Sequence, residues 1–293
     1  MSRPAFEGVP RVPEIADRDF DRFRALIERT TGIHLGERKR DLVCARLGPR
    51  LRELRLPGFA DYWRYLEEED PGGEELRRLV NRITTNKTSF FREAHHFTLL
   101  SERVLRPFAE GLGHGGPRRL RLWSAGCSTG EEPWSIAMTI AAEVPSWASA
   151  DVRLLATDID SEVLATGESG TYPDERASAI PPAVLRAGFL RGRGSFAGRL
   201  QVRPQLRKLV VFRELNLIAE PWPLRAAFDA IFCRNVLIYF TPLQQRRLIE
   251  RLLERLRPGG LLLLGHAESL LGMRPGLRAL GRTAFEKVAG EGQ

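Results

Sequence analysis

Residues 120–135 read Leu-Arg-Leu-Trp-Ser-Ala-Gly-Cys-Ser-Thr-Gly-Glu-Glu-Pro-Trp-Ser, and the fold turns on them. An apolar run, Leu120 to Trp123, enters a loop of small residues, Ser124 to Gly130. A helix signal follows. Glu131 and Glu132 suit the positive end of a helix, Pro133 suits its first turn, and Ile136, Ile140 and Val144 recur at i, i+4 and i+8. Strand, tight loop and helix make the first βα unit of a nucleotide-binding α/β sheet. Gly126 and Gly130 let the backbone approach a ligand where a Cβ would collide. The loop is not G-x-G-x-x-G, so a simple tight turn is the competing reading.

The next unit sharpens the choice. Val152 to Ala156 reads as a second buried strand, ending in Thr157-Asp158-Ile159-Asp160, with a helix from about Ser161. An acidic residue at that strand end is placed to accept from both hydroxyls of a ribose. The alternative is an N-cap carboxylate for the following helix, which fits Asp160 better than Asp158. At this point NAD and S-adenosylmethionine both remain open as ligands.

The chain has 293 residues, enough for two domains with full cores. No apolar run approaches the ~18–20 residues of a transmembrane helix, and the start lacks the apolar segment of a secretory signal. The expectation is a cytoplasmic protein with no membrane insertion. Cys44, Cys127 and Cys233 lie far apart, an odd set that reads as free thiols. Net charge is +8, carried almost wholly by arginine, since lysine occurs only at 39, 87, 208 and 287. Such a surface implies an acidic partner, whether nucleic acid, anionic membrane or acidic protein.

Residues 1–17 read as a Pro-rich tail, and 18–92 as a helical domain. Its helical periodicities include Phe20, Phe23, Ile27 and then Val43, Leu47, Leu51, Leu54. On the second helix Lys39, Arg46 and Arg50 share a sector beside the apolar stripe, a candidate partner surface against the plainer reading of a solvated face. From 84 to 92 the chain crowds Thr84, Thr85, Asn86, Thr88 and Arg92 before a helix. A cap needs one such residue, so the surplus suggests a ligand site. His95 and His96 are adjacent and should point apart on a helix, and no metal is expected. Residues 93–118 supply that helix and a Gly/Pro linker, and 119–293 form the α/β domain. Within it, about 196–213 reads as an inserted β-hairpin. Phe228 to Cys233 is a buried strand, Thr241 and Pro242 open a helix, Pro258-Gly259-Gly260 turns into strand Leu261–Leu264, and Thr283 to Val288 reads as an edge strand.

Four motifs now stand in register: Thr-Thr-Asn-x-Thr-x-Phe-Phe-Arg-Glu at 84–93, Ser-Thr-Gly-Glu-Glu-Pro at 128–133, Thr-Asp-Ile-Asp at 157–160, and Phe-Cys-Arg-Asn-Val-x-Ile-Tyr-Phe at 232–240. Together they resemble the chemotaxis receptor methyltransferases, the CheR family, over roughly residues 15–290. The resemblance implies an N-terminal all-helical domain joined to a class I S-adenosylmethionine-dependent methyltransferase domain, a Rossmann-like α/β sheet with a small antiparallel β-subdomain. It implies O-methylation of glutamates on the cytoplasmic helices of chemoreceptors, with S-adenosyl-L-homocysteine as product. Carried over by residue, it implies cofactor contacts from Asn86, Thr88, Arg92, Glu131, Asp158, Asn216, Leu217, Arg234 and Asn235, beside Gly126 of the loop. Arg92 and Tyr239 would serve the reacting groups. Lys39, Arg46 and Arg50, from their common sector and charge, are expected to dock the acidic receptor helix. The β-subdomain would hold a receptor C-terminal peptide.

Three rivals are weighed against this. A nicotinamide dehydrogenase lacks its fingerprint loop and a catalytic pair. A nucleic-acid methyltransferase suits the charge, but its usual Asn/Asp-Pro-Pro-aromatic tetrad is replaced by Arg234-Asn235-Val236-Leu237, so no nucleic-acid partner is expected. A catalytically silent cofactor-binding scaffold sits poorly with Arg92, Asn235 and Tyr239 all in place.

Overall fold

The computed structural model describes residues 14–114, 119–266, 268, 276–281 and 283–288. Most of the expected tail and the last residues of the expected linker lie outside that set. The chain divides into two compact units, after Thr84.

The first unit is helical: α1 (Asp17–Thr31), α2 (Arg40–Glu53), α3 (Phe59–Glu68) and α4 (Glu74–Ile83). The apolar stripes converge in one core of Phe20, Phe23, Ile27, Val43, Leu47, Leu51, Tyr62 and Leu79. Gly32 closes α1 in the left-handed region, and its N–H reaches back to Glu28 O. A buried carboxylate ties three helices together. Glu75 accepts both arms of Arg50, at 2.9 and 2.6 Å, and the Tyr62 hydroxyl at 2.8 Å.

The second unit opens with α5 (His95–Leu100), which runs through a π-helical turn, Ser101–Leu105, into α6 (Arg106–Gly113). These helices are no linker. Phe97, Leu100, Val104, Leu105 and Phe108 are buried in one core with Leu120 and Trp134, so the expected boundary at 92 moves back to Thr84. The sheet is built from β1 (Arg119–Ala125), α7 (Glu131–Glu143), β2 (Asp151–Asp158) and α8 (Ser161–Ser169). After an inserted segment come β6 (Val210–Glu214), β7 (Phe228–Cys233), α11 (Pro242–Arg255), β8 (Leu256–Leu264), β9 (Leu277–Ala279) and β10 (Ala284–Lys287). The strand order is β6-β2-β1-β7-β8-β10-β9, parallel from β6 to β8 and antiparallel at β10 and β9. Alternate side chains feed two cores, as a pleated strand requires. Leu122, Leu154 and Phe232 pack with α7, while Trp123, Ile231 and Leu262 pack with Leu248, Ile249 and Leu252 of α11. Each such apolar side chain contributes about 1.5–3 kcal/mol on burial.

Three expectations are corrected. β10 is interior, because β9 pairs outside it, so the edge strand is β9. Pro258 to Gly260 lies within β8, where pairing with β7 shifts register between Phe228 and Ala230, so no separate turn precedes Leu261. The third is the expected hairpin at 196–213. The insertion comprises β3 (Thr171–Pro173), α9 (Pro182–Gly188), β4 (Phe189–Arg191), β5 (Arg199–Val202) and the short α10 (Pro204–Arg207). β5 pairs with β3 and β4, whereas β6 pairs with β2 in the large sheet. α10 separates the two strands and sends them to different sheets.

Removing Arg50 would leave Glu75, whose side chain is 4% exposed, with only the half-exposed Arg78 at 3.5 Å and the Tyr62 hydroxyl to compensate its charge. Arg50→Ala should therefore destabilise the helical unit by about 1.5–3 kcal/mol. Urea denaturation followed by circular dichroism checks this, and Arg50→Met with Glu75→Gln, which removes both charges, should recover much of the loss.

Candidate active site

In a doubly wound sheet, ligands bind beyond the carboxyl ends of the strands where the strand order reverses. Here the chain steps outward from β1 to β2 to β6 and then returns to β7 on β1's other side. The switch point lies between β1 and β7, and the loops that leave them touch. A Cβ on Gly126 (φ 78°) would stand 2.3 Å from Val236 Cγ2. The N–H groups of Gly126 and Cys127 both donate to Thr157 O at the end of β2. Three strand ends are thereby drawn together.

Asp158 is buried at the end of β2. Its Oδ2 accepts the Ser128 N–H at 2.8 Å and its Oδ1 accepts the Asp160 N–H at 3.1 Å. Burial raises its pKa to about 6, against the opposing effect of those backbone donors. Asp160 has the other role that the sequence allowed. It caps α8, accepting from the N–H groups of Glu162 and Val163, and its Oδ2 takes Asn86 Nδ2 at 2.7 Å.

A second layer of charge lies under the loops. Arg234, at the end of β7, is buried against Glu93 Oε2 (3.3 Å) and Glu132 Oε2 (3.1 Å), and it donates to Arg92 O. Glu132 also accepts from Ser124 Oγ at 2.6 Å, and burial raises its pKa although Arg234 pulls the other way. Glu131 is fully buried and holds Arg176 Nη1 at 2.7 Å and Thr129 Oγ1 at 2.6 Å. Asn235 has φ 60°, and its N–H shares Glu268 Oε2 with the N–H of Gly265. Non-glycine residues at positive φ are uncommon, and they collect at functional sites. Of the five among the described residues, Phe91, Glu93, Ser128 and Asn235 lie in these loops.

The expected site residues are thus placed as follows. Gly126, Asp158, Arg234 and Asn235 share the loops beyond β1, β2 and β7, with Asn86 joined to them through Asp160. Thr88 and Arg92 are half-buried on the segment that Arg234 grips, and Arg92 Nη1 donates to Lys87 O at 3.1 Å. Asn216 lies in the loop after β6, its Oδ1 accepting the Ile218 N–H, and Leu217 is buried. Tyr239 is half-buried at the end of a 3-10 turn, Leu237–Tyr239. In the helical unit Lys39 is exposed, but Arg46 and Arg50 are committed elsewhere. Arg46 donates to Arg82 O and Thr84 O, and Arg50 to Glu75. The reading of His95 and His96 as divergent is also corrected. They open α5, and their ring centroids lie 4.1 Å apart. Glu93, Glu132 and Glu268 were not read as site residues. Glu268 carried the same signal as Asp158, an acid just past a buried strand.

Two family models cover nearly the whole described chain. The CheR methyltransferase all-alpha domain matches residues 18–84, and the CheR methyltransferase SAM binding domain matches 86–285. The chain belongs to the CheR methyltransferase family. It is similar to chemotaxis protein methyltransferase 2 of Pseudomonas aeruginosa, 44% identical over 91% of this chain and 92% of that one. It is also similar to the chemotaxis protein methyltransferase of Escherichia coli, 41% identical over 92% of this chain and 91% of that one. The family's cofactor is S-adenosylmethionine, and the loops here fit it. Gly126 lets the loop after β1 pack against Val236, Asp158 offers a buried acceptor, and Ser128 Oγ is buried with no hydrogen-bond partner among the described residues.

Gly130, at the start of α7, has φ 92°, and a Cβ there would stand 2.7 Å from Gly167 Cα and 2.8 Å from the Tyr172 hydroxyl. The left-handed backbone alone costs an alanine about 1–2 kcal/mol, and Gly167 is backbone that cannot yield. Gly130→Ala should lower the melting temperature by more than roughly 2–4 °C, read by differential scanning calorimetry.

Proposed function

We propose that this chain methylates glutamate side chains on the cytoplasmic helices of chemoreceptors, as a cytoplasmic S-adenosylmethionine-dependent O-methyltransferase. The observation that carries this reading is the convergence of all four family motifs on the switch point of one sheet. No helix among the described residues is long and apolar enough to cross a membrane. The relatives named above are chemotaxis methyltransferases, so neither a nucleic-acid enzyme nor a silent scaffold is favoured.

The bound cofactor supplies an electrophilic methyl group on a sulfonium. A glutamate is already ionised at neutral pH, so the site needs no general base. Its work is to position and to desolvate. Orienting two reactants can supply up to roughly 7–11 kcal/mol relative to a bimolecular encounter. Charge disappears along the reaction, so a site with few free charges favours the transition state. Arg234 suits that demand, being neutralised by Glu93 and Glu132 rather than left facing the reactants. We assign Asp158 to the ribose, with Asn86, Thr88, Asn216, Leu217 and Asn235 around the cofactor. Arg92 and the Tyr239 hydroxyl orient the reacting groups.

Receptor docking narrows to the exposed Lys39 and its neighbours, because Arg46 and Arg50 serve the helical unit itself. A receptor tail would add to the small sheet as an extra strand. The site for it shifts from the expected hairpin to β4, which among the described residues pairs with β5 alone. Leu190 and Phe196, 40% and 63% exposed, flank that edge and offer apolar contacts to alternate side chains of a peptide. Tritium transfer from labelled cofactor to receptor, with base-labile product, tests the activity. Loss of the tail should lower transfer at limiting enzyme without touching cofactor affinity. Label in RNA, or none at all, would overturn the reading.

The raised pKa of Asp158 gives two opposite pH trends. Ribose hydroxyls donate to the carboxylate, so affinity for S-adenosylhomocysteine should fall as pH drops through about 6, roughly tenfold by pH 5. A folded pKa above the unfolded value stabilises the apoprotein at low pH, and that contribution is lost as pH rises through about 6. Asp158→Ala should cost about 1–3 kcal/mol of binding and flatten the affinity trend in calorimetric titration.

A further inference from the structure

We propose that Glu93, His95 and His96 bind one divalent metal ion of the zinc class, beside the methyltransferase loops. Three of the chain's five histidines gather here, at the start of α5 and just past β8. His96 is fully buried, and its Nε2 lies 3.0 Å from Thr283 Oγ1. Its Nδ1 is buried with no hydrogen-bond partner among the described residues, 3.4 Å from Glu93 Oε2, which itself is held only by the Arg234 ion pair at 3.3 Å. A metal on Nδ1 requires the ring proton on Nε2, where Thr283 Oγ1 can accept it, and would then bridge Nδ1 and Glu93 Oε2.

The dimensions suit it. Bonds of about 2.0–2.2 Å to a tetrahedral ion put neighbouring ligand atoms roughly 3.3–3.6 Å apart. The Glu93–His96 pair is already at that spacing, and the ligand atoms of all three residues lie within 4.8 Å of one another. His95 is exposed, so it can close the remaining distance by rotation and leave the ion a path in. His266, whose ring lies 5.4 Å from that of His95, is within reach of the fourth position. Two imidazoles and a carboxylate select zinc-class ions over calcium or magnesium, which prefer oxygen.

Metal ligands need outer partners that fix them, and these are present. Thr283 holds His96, while the His266 N–H at 3.3 Å and Arg234 hold Glu93. Arg234 is the cation nearest the proposed ion. Glu93 and Glu132 together outweigh it, so the three groups leave a net charge of −1 to receive the metal. The ion would take no part in methyl transfer. By fixing Glu93 (φ 57°), it would brace the segment that carries Arg92.

Titrating the metal-free full-length protein with Co²⁺ tests this, using the visible absorption of a tetrahedral site, with Zn²⁺ as competitor. One equivalent should bind. Loss of an outer partner typically weakens a metal about 10–100-fold, so Thr283→Val should do that and His95→Ala at least as much. His34→Ala and His114→Ala should change nothing. Thermal melts without metal confirm that each variant is folded. Absence of a tetrahedral spectrum, affinity unaltered by His95→Ala, or equal loss in His34→Ala would overturn the site.

Discussion

The architecture beyond the strand ends depends on one buried cation. Arg234 sits in the low-dielectric layer between β7 and the loops, where an unpaired guanidinium would cost several kcal/mol. Two carboxylates and a carbonyl therefore have to come to it, and they arrive from two different pieces of chain. Glu132 brings the first turn of α7, while Glu93 and the Arg92 carbonyl bring the segment after Thr84. The geometry forced on those pieces is visible in the backbone. Positive φ at Phe91, Glu93, Ser128 and Asn235 costs about 1–2 kcal/mol at each. Local preference alone would release them. The Arg234 cluster, with Glu268 clamping Asn235 and Gly265, is what holds them in place.

The elements readable from sequence were those whose signal is local and periodic. The strand from 228 to 233, the helix opened by Thr241 and Pro242, and the Gly-loop between β1 and α7 each follow from a few neighbouring residues. Thr241 even supplies a full capping box with Gln244. The failures share a different cause. Whether β5 pairs with β6 or with β3 and β4 depends on residues far away in sequence, and both choices satisfy the same alternation. The interior place of β10 depends likewise on β9. Pro258 and Gly259 read as a turn because turn chemistry is local, yet the β7–β8 register shift absorbs them.

Charge was harder to read than hydrophobicity, for a related reason. A stripe of arginines on a helix looks the same whether it faces solvent or a buried partner. Nothing near Arg50 in sequence announces Glu75, and nothing near Arg46 announces the carbonyls of Arg82 and Thr84. The acids show the same ambiguity at closer range. Asp158 and Asp160 are two residues apart and both buried, and only their hydrogen-bond partners separate them. One is a carboxylate with its pKa raised to about 6, and the other is a helix cap.

That separation bears on the proposed chemistry. A reaction that joins a carboxylate to a cationic methyl donor is slowed by any stray charge that solvates either reactant better than the transition state. The loops here meet the constraint by pairing. Arg234 is balanced by Glu93 and Glu132, Glu131 by Arg176, and Asp160 is spent on the α8 N-terminus and Asn86. Asp158, its pKa raised by burial, is left with only backbone donors among the described residues to hold it. Hydroxyls arriving there would complete its coordination without adding net charge. The same arrangement that satisfies a buried arginine therefore leaves one buried acceptor ready for a neutral, hydroxyl-bearing ligand, and keeps the surrounding field close to neutral for the step that follows.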